Sequence, residues 1–500
     1  MKTALSLLAL LFLNALPTLA QSPTPSPTAS PAIFPRERFQ VFAANATKLK
    51  KFSDAVKAMK ARPATDKTSW AYWANIHGVI GGSDPQWNQC RHAHWWFVAW
   101  HRAYLLELEH QLQAAINDPT FRLPYWDYLD AGQRKIPAAF RKTTSSLFEP
   151  NRGSNEVGFE AADLKKTFGA TSFVGTIVGG GFGGASVPGG TVSGPFAKRG
   201  RMEQNPHNTV HVDIGGLMGD PRTAAEDPIF WVHHCNIDRI WEVWLKNGPH
   251  TNPPTGAFTT ESFTFPGVNG QTVTHKVADM FDTKKLGYTY DRTTLQVQLA
   301  STPAPHAQPK NAAGNPPVVS ESATPSEPEP EKPHVLVASA PPDKPITITA
   351  QPQTVKVKAE TVAPEHNMLA RSANPKAVKK RVLLSLEGIE FTEPPKHLYK
   401  VYLNLPKADH KVAADTPLYV GTLAFFESPD GHHGNDGSER TEVFDITDNL
   451  ASAKKSAAYD PNNLTVTIVP LGPPKDGKRA APQNAKEITI KKINIKTTTE

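Results

Sequence analysis

The spacing of apolar positions changes character along the chain. In "HRAYLLELEHQLQ", His101, Leu105, Leu108 and Leu112 fall on one helical stripe, while Glu107 and His110 lie away from it. A histidine therefore shares the direction of the core leucines. A second helix is predicted with Asp227 as N-cap and Pro228 at its first position. It runs through "IFWVHHCNIDRIWEVW" and points Phe230, His234, Ile237 and Trp241 inward. Later the period shortens: "RVLLSLEGIEF", "YKVYLNL", "LYVGTLAFF", "LTVTIVPL" and "KEITIKKINI" carry alternation or β-branched runs broken by turn residues. They predict an antiparallel sandwich of about 120 residues.

The expected fold is a mainly α domain, a four-helix bundle, followed by a C-terminal all-β, sandwich-like domain. Five hundred residues exceed what one core usually serves, and 39% apolar composition suits globular packing. Of the 46 prolines, 15 fall between Pro303 and Pro375, around "SEPEPEKP", which reads as an extended linker. The boundaries drawn are 1–20 for a signal segment, 21–35 for a Pro/Ser/Thr spacer and 36–295 for the helical domain. The linker then takes 296–379 and the β-domain 380–500.

"MKTALSLLALLFLNALPTLA" has an early lysine, an apolar run from Ala4 to Leu16 and small residues before Gln21, the pattern of a cleaved secretory signal. Asn14 and Pro17 break it below the length of a membrane anchor, so a secreted or periplasmic chain without an anchor is expected. The net charge of +7 is scattered and carries no nucleic-acid motif, so no nucleic-acid partner is expected, and the oligomeric state stays open. Two cysteines, Cys90 and Cys235, allow at most one disulfide. "VGGGFGGASVPGG" lacks the Lys-Ser/Thr of a phosphate-binding loop and reads as a surface loop.

The chemistry concentrates in histidines. His207 and His211 in "HNTVH" stand at i, i+4, a spacing that lets two imidazoles share one ion. His101 and His234 add imidazoles on apolar stripes, and a helix bundle can aim such side chains at one centre. His92, nine residues before His101, must precede that helix in a loop, and His77 in "ANIHGVIGG" is a further candidate. Any one of them also fits a hydrogen-bonded core histidine. Six together, with no competing carboxylate or thiolate cluster, suit copper, zinc or iron.

Two long segments, "HAHWWFVAWHRAYLLELE" and "DPIFWVHHCNID", resemble the copper-binding signatures of tyrosinases, catechol oxidases and haemocyanins. The resemblance implies two copper ions, with His77, His92 and His101 on the first and His207, His211 and His234 on the second. It leaves His94 and His233 as packing or supporting residues. "FRLPYWDY", "FDTKKLGYTY", "VLLSLEGIEF" and "YKVYLNL" are similar to segments of plant polyphenol oxidases, including their C-terminal β-domain. The activity implied is oxidation of small phenols by O2, o-diphenols to o-quinones, with monooxygenase action on monophenols left open.

In the same family a glutamate and an asparagine hold a water that prepares monophenols, and Glu203 and Asn208 match those positions. A first-turn acid and a polar cap are their plainer readings. Pro221 stands where plant enzymes place a bulky phenylalanine, which implies a less obstructed entrance. Cys90, two before His92, matches the cysteine that fungal relatives join to the histidine ring as a thioether; a Cys90 to Cys235 disulfide is the rival. The β-domain resembles one that covers the copper entrance until proteolysis, or it is an independent binding module. Asp238, on the His234 stripe, calls for a cationic partner, and Arg102 is the expected one. A type-3 copper protein that binds oxygen without turnover is the alternative function.

Overall fold

The computed structural model describes residues 33–175, 181–185, 199–295, 335–340, 345–360, 380–427, 440–455, 459–482 and 488–499. The signal-like segment, most of the Ser/Pro spacer, most of the glycine-rich stretch and the acidic part of the Pro-rich stretch lie outside these residues.

Four of the helices among the described residues frame the first region: Ala46–Lys60, Trp70–His77, Phe97–Ala115 and Pro228–Lys246. Local chemistry sets their starts. Asn45 Oδ1 accepts from the backbone N–H of Thr47 and Lys48, and Ser69 Oγ accepts from that of Tyr72. Asp227 caps the last helix by accepting from Ile229 N, with Pro228 at the position where a missing N–H costs nothing. Between the helices Trp73, Tyr104 and Trp231 pack at centroid separations of 5.9 and 4.7 Å. All three are fully or almost fully buried, and aromatic side chains of this size each contribute about 2–3 kcal/mol on burial.

A short parallel pair, Phe34–Arg36 with Tyr288–Tyr290, ties the start of the helical region to its end. It brings Arg36 to the far side of the Pro228–Lys246 helix, where Asp238 accepts hydrogen bonds from Arg102 Nε, Arg36 Nη1 and the hydroxyls of Tyr288 and Tyr290. Arg102 is thus the partner expected for Asp238, and Arg36 is a second one. Burial by itself would raise the Asp238 carboxyl, but the two guanidiniums and two hydroxyls outweigh it and hold the group below the usual carboxylate range.

The second region is one antiparallel sheet of nine strands among the described residues. Its order is Tyr419–Ala424, Leu398–Leu403, Leu464–Leu471, Gln353–Ala359, Val335–Ser339, Ile488–Thr499, Lys380–Glu390 and Thr441–Asp445, with Ile346–Ile348 also paired to Ile488–Thr499. The two ends, Tyr419–Ala424 and Thr441–Asp445, touch, so the sheet nearly closes on itself around Leu384, Val401, Val420, Val466, Ile468 and Ile493. Three of these strands lie inside the stretch read as linker. Proline density masked the β-branched runs in "VLVAS", "PITITA" and "TVKVKA", whose prolines fall between strands, where no ladder N–H is lost.

The sheet packs on the helical region. Val212 and Ala162 join Leu398, Tyr402, Tyr419, Val469 and Leu471 in a shared apolar cluster. Arg479 grips Asp213 with both arms of its guanidinium, at 2.7 and 2.6 Å, Lys400 meets Glu160 at 2.7 Å, and Tyr419 donates its hydroxyl to Asp163 at 2.7 Å.

Candidate metal centre

His77 ends the Trp70–His77 helix, and its Nδ1 meets the carbonyl oxygen of Pro221 at 2.8 Å. His101 lies one turn into the Phe97–Ala115 helix, where its Nδ1 reaches the Phe97 carbonyl, also at 2.8 Å. His92 precedes that helix in a turn, as the nine-residue spacing required. These three form one buried group whose ring centroids are 5.1 to 5.7 Å apart.

His207 closes the irregular helical turn Glu203–Asn208, whose regular geometry breaks at Asn205, and His211 sits in the helix Thr209–Ile214 that follows. Asn208 Oδ1 accepts from His207 Nδ1 at 2.8 Å, and the Met218 carbonyl holds His211 Nδ1 at the same distance. That second contact depends on Gly215 and Gly216, both at φ 59, which turn the chain back after Ile214. At Gly216 a Cβ would sit 1.7 Å from the Asn151 carbonyl oxygen, so no other residue fits. His234 completes this group from the Pro228–Lys246 helix.

The two groups adjoin: His101 and His234 stack at 4.4 Å, and His92 lies 5.5 Å from His207. Burial first, and neighbouring imidazoles second, push His207, His211 and His234 well below the usual histidine range, while His101 is lowered to about 3 by burial. All are therefore neutral, with lone pairs available. Four of the rings spend Nδ1 on an oxygen partner, which turns Nε2 inward. The Nε2 atoms of His101 and His207 have no hydrogen-bond partner among the described residues, and those of His211 and His234 face each other at 3.3 Å. Buried nitrogens left in this state are costly unless something binds them, and two metal ions fit the two groups.

Sequence reasoning placed some neighbours and missed others. His94 stacks on Trp96 at 4.4 Å and stays out of both groups. His233 does lie within 4.8 Å of the second group's nitrogens, while its Nδ1 pairs with the Tyr128 hydroxyl at 3.0 Å. Glu203 is buried, and its Oε1 accepts from Ala93 N at 2.7 Å beside His92. Burial dominates its environment and raises it to about 7, against the opposing pull of Arg199 at 3.8 Å. Asn208 also reaches across to the sheet, donating from Nδ2 to the Ala424 carbonyl at 3.3 Å. Cys90 Sγ stands 3.2 Å from His92 Nδ1 and 3.9 Å from its Nε2, facing the ring edge between them. Neither cysteine is in a disulfide; Cys235 lies on the Pro228–Lys246 helix among Arg36, Glu109 and Asp238.

Three contacts were not legible. Pro221 is buried, and its carbonyl oxygen meets His77 Nδ1. The space above the histidines is taken by Phe426 of the β-domain, whose ring stacks on His211 at 3.7 Å and stands 5.3 and 5.5 Å from His92 and His207. Glu107, expected to face away from the core, is also buried, and it accepts from His275 Nε2 at 2.8 Å.

The model of the common central domain of tyrosinase matches residues 67–199 and 189–247, which include all six histidines. Residues 67–247 thus carry the central domain of the tyrosinase family. The two histidine groups fit that family's two copper ions. Residues 336–498 match a domain of unknown function, DUF7868. Tyrosinase HcTyr1 of Hahella sp. (strain CCB-MM4) is 35% identical over 308 residues, covering 52% of this chain and 63% of its own. Aureusidin synthase of Antirrhinum majus is 32% identical over 292 residues, 52% of each chain. This chain thus spans less than two thirds of the length of those two relatives. The chloroplastic polyphenol oxidase of Malus domestica is 28% identical over 461 residues, covering 84% of this chain and 72% of its own. The structure of latent apple tyrosinase superposes with a TM-score of 0.63 at 23% identity, over 94% of this chain and 98% of that one, so the two share a fold.

Proposed function

We propose that this protein is an exported dicopper polyphenol oxidase that oxidises o-diphenols to o-quinones with O2. One observation carries the reading: six buried histidines in two adjoining groups, four of them held at Nδ1 by an oxygen so that Nε2 turns inward. His77, His92 and His101 would hold the first copper, and His207, His211 and His234 the second. Bound copper supplies the redox chemistry, by which two diphenols give up four electrons and four protons to one O2 to yield two quinones and two waters.

The chain's own groups prepare that exchange. The Pro221, Phe97 and Met218 carbonyls and Asn208 Oδ1 fix four of the rings, and the surrounding aromatics exclude water. Glu203, raised to about 7 by burial, is suited to take a phenolic proton at Oε2, which has no partner among the described residues. A base so poised extends the activity to monophenols. Cys90 is placed to tether His92 by a thioether.

The β-domain acts as a cover, since Phe426 occupies the place a substrate ring needs. Among the described residues no helix is long and apolar enough to cross a membrane, and the signal-like N-terminus supports export. Oxygen uptake by the copper-loaded chain with a catechol and a monophenol, before and after cutting residues 296–333 and separating the β-domain, tests both parts. No uptake in any state defeats the enzyme assignment. Equal uptake before and after defeats the cover.

A further inference from the structure

The residue after Phe426 is Glu427, and its carboxylate lies on Arg199 of the helical region. The β-domain therefore presents two things side by side: an aromatic ring over His211 and a negative charge on the nearest cation. We propose that this pair stands where the ring and carboxylate of a substrate go, so that the uncovered site favours phenols carrying a carboxylate on a short flexible chain. The inference rests on the phenol-oxidising reading above and specifies its substrate class.

The electrostatics of the mouth support it. Arg199 has three acidic neighbours: Glu427 and Glu442, which belong to the cover, and Glu203, 3.8 Å away in the helical region. Glu427 has a second partner of its own, Arg440 at 2.9 Å, which leaves with it. When the cover departs, Arg199 loses two carboxylates and keeps only Glu203 from this set. A separate cavity between the domains sets Lys166 and Arg201, together with Asp163, against Asp445, so the charge contrast at the site itself rests on Arg199 against Glu427 and Glu442. An arginine stripped of two carboxylates at the edge of a low-dielectric site recognises another carboxylate through its planar fork of donors. Glu203 lies close enough to bias Arg199 but offers it no bidentate contact, so the guanidinium keeps donors for a ligand.

Two measurements test this. In the copper-loaded Arg479→Ala protein, cut within 296–333 so that the β-domain separates, 3-(3,4-dihydroxyphenyl)propanoate should exceed its amide in kcat/KM by about five-fold or more, mostly through KM. Arg199→Gln should bring that ratio to about one, and Arg199→Lys should keep part of it; reading a ratio within each variant cancels any general loss of activity. In the full chain, 3-phenylpropanoate should bind by calorimetry to the Phe426→Ala, Glu427→Gln protein and not to the native one, and more tightly than its amide. An acid no better than its amide, a ratio that survives Arg199→Gln, or no binding by the double variant overturns the proposal. If plain catechol is not oxidised in any state, the enzyme assignment fails instead, and the two failures are told apart.

Discussion

The ring of Phe426 lies on that of His211 with centroids 3.7 Å apart and planes 11° from parallel. The two residues come from different domains, yet Phe426 is 2% exposed and clusters with the core of the helical region rather than with its own sheet. A side chain of the cover has become part of the metal centre's wall.

Removing that ring should open the site without any cut. Phe426→Ala deletes a buried aromatic, a change that costs about 3 kcal/mol or more where the cavity cannot collapse. Here the loss falls on docking of the cover, so catechol-dependent oxygen uptake by the uncut, copper-loaded chain should rise by at least about ten-fold. Uptake no higher than in the native chain would show that other contacts close the entrance.

Cys90 and His92 are placed for a covalent bond. Joining Sγ to the ring carbon removes one hydrogen from each, with the two electrons passing to dioxygen, and lowers the mass by about 2 Da. Intact mass of copper-matured protein should show that deficit, and reductant should not restore it. Cys90→Ala should abolish the deficit, whereas Cys235→Ala should leave it. A deficit reversed by reductant would point to a disulfide and contradict the position of Cys235 among Arg36, Glu109 and Asp238.

Glu203 should govern the acid limb of monophenol oxidation. Burial raises its carboxyl to about 7, so below that pH it is protonated and cannot accept a proton. Part of the elevation comes from Glu442 of the β-domain, so once that domain is removed the midpoint should lie at or below about 7. Monophenol kcat/KM should fall about ten-fold per pH unit beneath it. Glu203→Gln should remove this limb and depress monophenol oxidation more than diphenol oxidation. An unchanged profile in the variant would remove Glu203 from the proton path.

Much of this centre was readable from residue types and spacing, because most of its histidines sit on helices whose period is visible in sequence. His101 shares a stripe with Leu105, Leu108 and Leu112, and Asp227 with Pro228 announces the helix that carries His234. Phe426 was not readable. It follows a strand whose residues alternate between the sheet interior and the helical region, and nothing local distinguishes an aromatic packed in a sheet from one packed on another domain. "LAFFES" does hold the signal in retrospect: two adjacent aromatics at a strand end cannot both enter one core. Phe425 joins the sheet's core and Phe426 the other domain's. The strands within 335–359 were hidden for a different reason, since proline counts report on connections and average away short β-branched runs.

Asp238 should be the most sensitive carboxylate in the helical domain. Asp238→Asn leaves Arg102 and Arg36 buried with less compensation, a loss of about 3–5 kcal/mol when one partner of a buried pair is removed. The sign with pH follows from its depressed carboxyl. The stabilisation is present above the unfolded value near about 4 and is lost as pH falls through the lower folded value. Chemical denaturation of native and variant protein should therefore differ widely at neutral pH and converge in strong acid. A constant difference across pH would place the effect in packing instead.

Cutting the chain between the domains should not by itself free the metal centre. The strands at 335–359 pair within the sheet, so a cut in 296–333 leaves every contact between the domains among the described residues intact. Those contacts are substantial: Arg479 on Asp213, Arg199 on Glu427 and Glu442, Lys400 on Glu160, and the apolar cluster around Tyr402 and Val469. Asp213 is buried two residues beyond His211, and burial raises its carboxyl despite Arg479. Losing Arg479 would therefore strand a buried carboxylate, a penalty of about 3–5 kcal/mol that undocking relieves. Nicked native protein should co-elute as one particle in gel filtration and show only a modest gain in catechol oxidation. Nicked Arg479→Ala protein should separate into two fragments, with a further gain in activity of about ten-fold or more. Separation of the native fragments on nicking alone would mean that the connection, not the interface, holds the cover in place.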